Sequence, residues 1–194
     1  MIKYIKNNKL LSFYILITIL VFIFGLLFNS LVNNDIKEII KNNINNLVKN
    51  YSNKITILEI KNIIINTSIY DLLIWILGIS IIGVVLVLIL FEIKVFIFSF
   101  ELSSLIINLK INNFLFIIIY LLPKLINIIN FFVISYFSIN YSIYLIKFLF
   151  MKKNIYLKFI TKKYIKLLFL SQILILISII LEIFILPKLS IIIF

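Results

Sequence analysis

Three ionisable side chains stand inside or against strongly apolar runs of this chain: Glu101, Lys124 and Glu182. An uncompensated charge in hydrocarbon is costly. Such residues therefore mark an ion pair tying helices together, a side chain reaching up to the interface, or a polar route for a proton or solute. Hydrolytic chemistry needs more, either two carboxylates at a defined separation or a nucleophile beside a base. The chain contains no histidine and no cysteine. That excludes thiolate catalysis, disulfides and the usual zinc and haem ligand sets. Glu101 and Glu182 belong to different apolar segments, and Ser99, Ser103 and Ser104 around Glu101 suit close helix packing better than nucleophilic attack. The expectation is a non-enzyme with no catalytic residue, no metal site and no cofactor.

The elements that must hold these residues follow from composition. Of 194 residues 64% are hydrophobic, the mean hydropathy is +1.24, and seven acids face nineteen lysines. No soluble core of one domain could hide so much apolar surface, so lipid must be the solvent for most of the chain. Every cation is a lysine, and Ile, Asn, Lys, Phe and Tyr crowd the sequence. Those residues have A- or T-rich codons, the mark of a low-GC bacterium. The net charge of +12 then reflects codon usage, and no nucleic-acid partner is expected.

A hydrocarbon core about 30 Å thick needs about 20 apolar residues of helix. Residues 10–28, 72–91 and 164–186 satisfy this, and the shorter 95–109 carries Glu101. The run 114–146 is too long for one ordinary span and contains Pro123, which removes a donor and clashes with the preceding turn. A break there leaves 125–146 as a span. Lys3, Lys6 and Lys9 precede the first span, and Lys147, Lys152, Lys153, Lys158, Lys162, Lys163 and Lys166 precede or enter the last. The positive-inside rule puts both groups in the cytoplasm, which requires an even number of crossings between them. The expected architecture is thus all-α: a single polytopic membrane domain over 1–194, with about five transmembrane helices. A short re-entrant or interfacial helix at 114–122 completes it, with the amino terminus inside, the carboxyl terminus outside and a cytoplasmic lysine-rich loop at 147–163. The first span lacks a small-residue cleavage pattern and reads as an uncleaved anchor.

Residues 29–71 form the sizeable polar segment, extracytoplasmic in this topology. Ile36, Ile40, Leu47, Tyr51, Ile55 and Leu58 recur at near-helical spacing, and Asp35 with Glu38 resembles a capping box. The segment reads as an amphipathic helix or helix pair, serving as a linker on the bilayer or as a docking surface through Ile40 and Leu47. Trp75 is expected at the outer headgroup layer, with Gly78 and Gly83 letting helix backbones approach.

The stretch "LIWILGISIIG" followed by "LILFEIKVFIFSF" resembles the signature region of the stage II sporulation protein M family of bacterial membrane proteins. The likeness extends to the first span ending in Gly25, to the Leu-Pro break in "YLLPKLINIINFFVISYFSINYSIYLIK", and to "ILEIFILPKL", where Glu182 and Pro187 match in place. The chain departs from the pattern after Lys94, where the family runs Gly-rich, and after Pro123, where Lys124 and Leu125 replace an amide pair. The resemblance implies a non-enzymatic scaffold at the sporulation septum. There it would anchor the peptidoglycan hydrolases called stage II sporulation proteins D and P, for septal wall remodelling and engulfment of the forespore. In this setting Lys124 is expected to pair with Glu182 and fix the fourth span against the fifth. The alternative is a permease or transporter accessory with a polar intramembrane path along Glu101, Lys124 and Glu182.

Overall fold

The computed structural model describes residues 9–52, 57–109, 114–151, 157–185 and 187. They form six α-helices: α1 (Lys9–Leu31), α2 (Asn34–Ser52), α3 (Ile57–Gly78), α4 (Gly83–Asn108), α5 (Phe114–Met151) and α6 (Leu157–Ile180). A π-helical turn, Leu181–Ile185, continues α6. All but α2 are long and apolar enough to cross a membrane. The all-α, five-span expectation holds, with α2 as the sixth, amphipathic helix.

Helices α4 and α5 form the centre. α4 packs against α1, α2, α3 and α5, and α5 packs against α3, α4, α6 and the π-helical turn. Lipid tails are as apolar as leucine, so the spans are joined by shape and by hydrogen bonds between helices rather than by water exclusion. The first helix shows both devices. A Cβ on Gly25 would collide with the Ser99 hydroxyl and meet the Phe96 carbonyl at 2.9 Å. Close by, Ser103 Oγ donates to the Leu26 carbonyl at 3.0 Å and Asn29 Nδ2 donates to Ser104 Oγ at 3.1 Å. One buried cluster gathers Tyr14, Ile74, Phe91, Phe131 and Ile134, and a second gathers Ile44, Phe98, Leu105, Phe116 and Tyr120.

Several span boundaries differ from those expected, among them the expected span 95–109, which is part of α4, and the expected loop 147–163, whose two ends lie in α5 and α6. The apolar run 72–91 is not one span: α3 ends at Gly78, a tight turn covers 79–82, and α4 starts at Gly83. The turn satisfies its own polar groups. Ile79 N–H donates to the Ile76 carbonyl and Ser80 N–H to the Leu77 carbonyl, both at 3.0 Å, and Gly83 N–H donates to the Ser80 carbonyl at 3.1 Å. Ser142 on α5 also donates to that Ser80 carbonyl. Both glycines are required by close approach. A Cβ on Gly83 would strike the Leu77 carbonyl oxygen, and one on Gly78 would strike the Tyr164 hydroxyl and lie 2.6 Å from Ser138 Cβ.

The break expected before residue 125 is absent. α5 is continuous over 38 residues with Pro123 inside it, so 114–122 is the start of a long span and not a separate re-entrant helix. Neighbouring helices hold a proline-bearing membrane helix together, and Tyr120 and Leu121, just before the proline, are buried in the second core cluster. The segment 29–71 is also redistributed. Its first residues complete α1, its middle is α2, and its last part belongs to α3, whose apolar stretch is Ile60–Gly78. In α2 the inward residues are Ile40 and Ile44, packed on the Leu105 and Phe116 cluster, whereas Ile36 and Ile39 are exposed.

Candidate functional site

Three ionisable residues expected outside the spans lie within the bundle's helices. Asp71 now lies about 10 Å along α3 from its Gly78 end, and Glu92 and Lys94 lie about 13 and 16 Å along α4 from Gly83. The turn between two glycines around Ser80 was the available signal, masked because the other turn residues are isoleucines.

At one end of the hairpin of α3 and α4 the two helices meet at the glycine turn; further along they flank a cavity of about 300 Å³ that is closed by α5 and the π-helical turn. Its polar wall comprises Asn66 and Thr67 from α3, Lys94 and Glu101 from α4, Lys124 and Asn127 from α5, and Glu182. Lys124 forms a salt bridge with Glu101. The Tyr120 hydroxyl donates to the same Glu101 oxygen at 2.6 Å and accepts from Lys124 Nζ at 2.6 Å, so the three groups close a ring. Lys94 Nζ sits over the Tyr70 ring, 3.7 Å from its centroid, and feels the like charge of Lys124 and the opposite charge of Glu101.

A second polar centre joins α3, α5 and α6. Asp71 is fully buried, and its two oxygens accept from Asn130 Nδ2 at 3.2 Å, Ser171 Oγ at 2.7 Å and Gln172 Nε2 at 2.6 Å. Three donors from two other helices hold this carboxylate in place, which suits a structural node. Glu92 is buried where α4 meets α1. One oxygen accepts from Thr18 Oγ1 at 3.0 Å, and the other has no partner among the described residues.

The expected residues distribute as follows. Lys124 pairs with Glu101, a partner not foreseen, while Glu182 lines the same cavity. Gly78 and Gly83 occupy the two close approaches at the turn. Ile40 faces the bundle rather than outward, and the Leu47 side chain lies outside the described residues. Trp75 stands three residues before Gly78, stacked on Tyr164 of the lysine-rich start of α6, and so shares an end of the bundle with those lysines rather than with α2. Comparison with protein-family models, with curated proteins and with solved structures gives no match.

Proposed function

We propose that this chain is a non-enzymatic membrane scaffold of the stage II sporulation protein M kind, collecting extracytoplasmic peptidoglycan hydrolases at the sporulation septum. The observation that carries this reading is the seating of α2. Ile40 and Ile44 fasten it to the bundle near the junction of α4 and α5, and its remaining face, including Ile36, Lys37, Glu38, Ile39 and Asn43, is exposed. An amphipathic helix seated on the bundle with apolar side chains still uncovered suits the docking of another protein's helix or anchor. The charged residues support the same reading, since Lys124 with Glu101 and Asp71 with its three donors link helices to one another. In this proposal the amino terminus and the glycine turn face the cytoplasm, and α2 faces the septal wall, as the lysine distribution favours. The deciding experiment is affinity capture from sporulating cells. Recovery of stage II sporulation proteins D and P with the wild type, and their loss with Ile36→Asp and Ile39→Asp combined, supports the scaffold; capture unchanged by that variant removes α2 as the docking site.

The cavity favours a second reading, a permease or transporter accessory, because its wall carries charges from several elements. Genomic context separates the two, a sporulation locus supporting the first and a transporter operon the second.

A further inference from the structure

We propose that the cavity flanked by α3, α4 and α5 is a binding site for a phosphoethanolamine-type zwitterion, with the phosphate held by Lys94 and the ammonium facing the carboxylates of the same wall. The inference rests on the cavity alone and on neither reading above.

Lys94 and Lys124 differ in what they hold. Lys124 has a carboxylate and a phenol as partners. The Lys94 ammonium has three N–H donors and rests on the Tyr70 ring face, with no hydrogen-bond acceptor among the described residues. A lysine halfway along an apolar helix with no side-chain or backbone acceptor among the described residues calls for an acceptor from the contents of the cavity it lines. Lys124 lines the same cavity, so an anion held by Lys94 shares that cavity with a second ammonium. Asn127 adds a second donor. Its side-chain oxygen accepts from Ser178, and its amide N–H groups have no acceptor among the described residues. An oxyanion with several acceptor oxygens answers these donors.

The carboxylates decide against a purely anionic ligand. Glu101 receives both of its hydrogen bonds on one oxygen, and Glu182 stands on the same wall. The lining therefore carries two ammoniums and two carboxylates, and a ligand with one charge of each sign leaves the site balanced. The volume, about 300 Å³, is at the lower end for small-molecule sites, which suits a headgroup better than a whole lipid. Ile97 is 49% exposed and lines the cavity, so the site opens at the bundle surface where an acyl chain could continue along lipid. The same phosphodiester zwitterion is offered by a phosphatidylethanolamine headgroup and by free glycerophosphoethanolamine.

The test uses the full chain purified in detergent, loaded with equal amounts of phosphatidylethanolamine and phosphatidylglycerol and read by native mass spectrometry, with thermal unfolding as the control. The wild type is expected to retain one phosphatidylethanolamine with at least tenfold preference, Lys94→Met to lose at least tenfold in occupancy, and Lys94→Arg to keep most of it. Free glycerophosphoethanolamine is titrated in parallel. Displacement of the lipid by it at millimolar concentration identifies a site that reads the soluble headgroup, and no displacement identifies the lipid as the ligand. Equal retention of the two lipids, or occupancy unchanged in Lys94→Met, overturns the proposal. If Lys94→Met does not fold, Asn127→Leu carries the same comparison, with a loss of severalfold expected and no loss counting against the site.

Discussion

Trp75 and Tyr164 exchange hydrogen bonds with each other's backbone. The Tyr164 hydroxyl donates to the Trp75 carbonyl at 2.6 Å, the Trp75 indole N–H donates to the Tyr164 carbonyl at 3.4 Å, and the rings stack 5.5 Å apart. The contact locks the end of α3 onto the start of α6 beside the glycine turn. Removing the phenol leaves the Trp75 carbonyl and Ser138 without that partner. Tyr164→Phe is expected to destabilise the bundle by about 1–2 kcal/mol. Because the chain has one tryptophan, its fluorescence reports the change directly, and an emission spectrum and melting temperature identical to wild type would count against the contact.

Gly78→Ala should be destabilising because the new methyl meets the Tyr164 hydroxyl and Ser138 Cβ. Those atoms belong to the same junction, so the effect should not add to that of Tyr164→Phe. A double-mutant cycle in detergent unfolding is expected to show coupling of about 0.5 kcal/mol or more. Strict additivity would mean that the helices separate readily at this point.

The Lys124 and Glu101 pair predicts an asymmetry between single and double changes. Lys124→Leu leaves Glu101 with only Tyr120 donating to it among the described residues, and should cost about 2 kcal/mol, whereas Lys124→Leu with Glu101→Gln should recover much of that loss. Lys124→Gln should be milder than Lys124→Leu, since an amide still donates to the carboxylate. Detergent melting of the four proteins checks the order.

Asp71 predicts a comparable ranking. Asp71→Leu strands donors from Asn130, Ser171 and Gln172, while Asp71→Asn keeps one acceptor oxygen. The leucine variant should be the less stable of the two by about 1 kcal/mol or more. The reverse order would show that the three donors do not need an acceptor at this position.

Topology can be read by thiol labelling, since the chain has no cysteine of its own. Ile82→Cys in the turn and Asn45→Cys on α2 are both exposed positions. With the orientation proposed above, an impermeant maleimide added to intact cells should label the α2 site and spare the turn. Labelling of the turn would invert the bundle.

Much of the architecture was legible in the residues because a bilayer imposes it. Hydropathy and length mark where the chain must be helical, and with the lysine parity they lead to five spans, the number the structure has. The boundaries were harder to read. Isoleucines at 79, 81 and 82 make the turn as apolar as the helices beside it, so a hydropathy window runs through it. Shifting one boundary by a dozen residues moved Asp71, Glu92 and Lys94 from water into the bundle. Pro123 shows the opposite failure: a strong local signal for a break was overridden because the surrounding helices pack α5 on both sides of it.

Composition determined the solvent of this protein, its helical class and the residue types absent from its chemistry, because the first two follow from transfer of side chains and peptide groups into lipid; the number of spans needed the lysine distribution as well. Tertiary structure alone decided which charges meet. Glu101 lies 23 positions from Lys124, and Asp71 lies 100 positions from Ser171. Such pairings depend on the rotation and tilt of each helix about its axis, which are set by close packing at places such as Gly25, Gly78 and Gly83. Hydropathy carries no information on rotation when nearly every face of a helix is apolar.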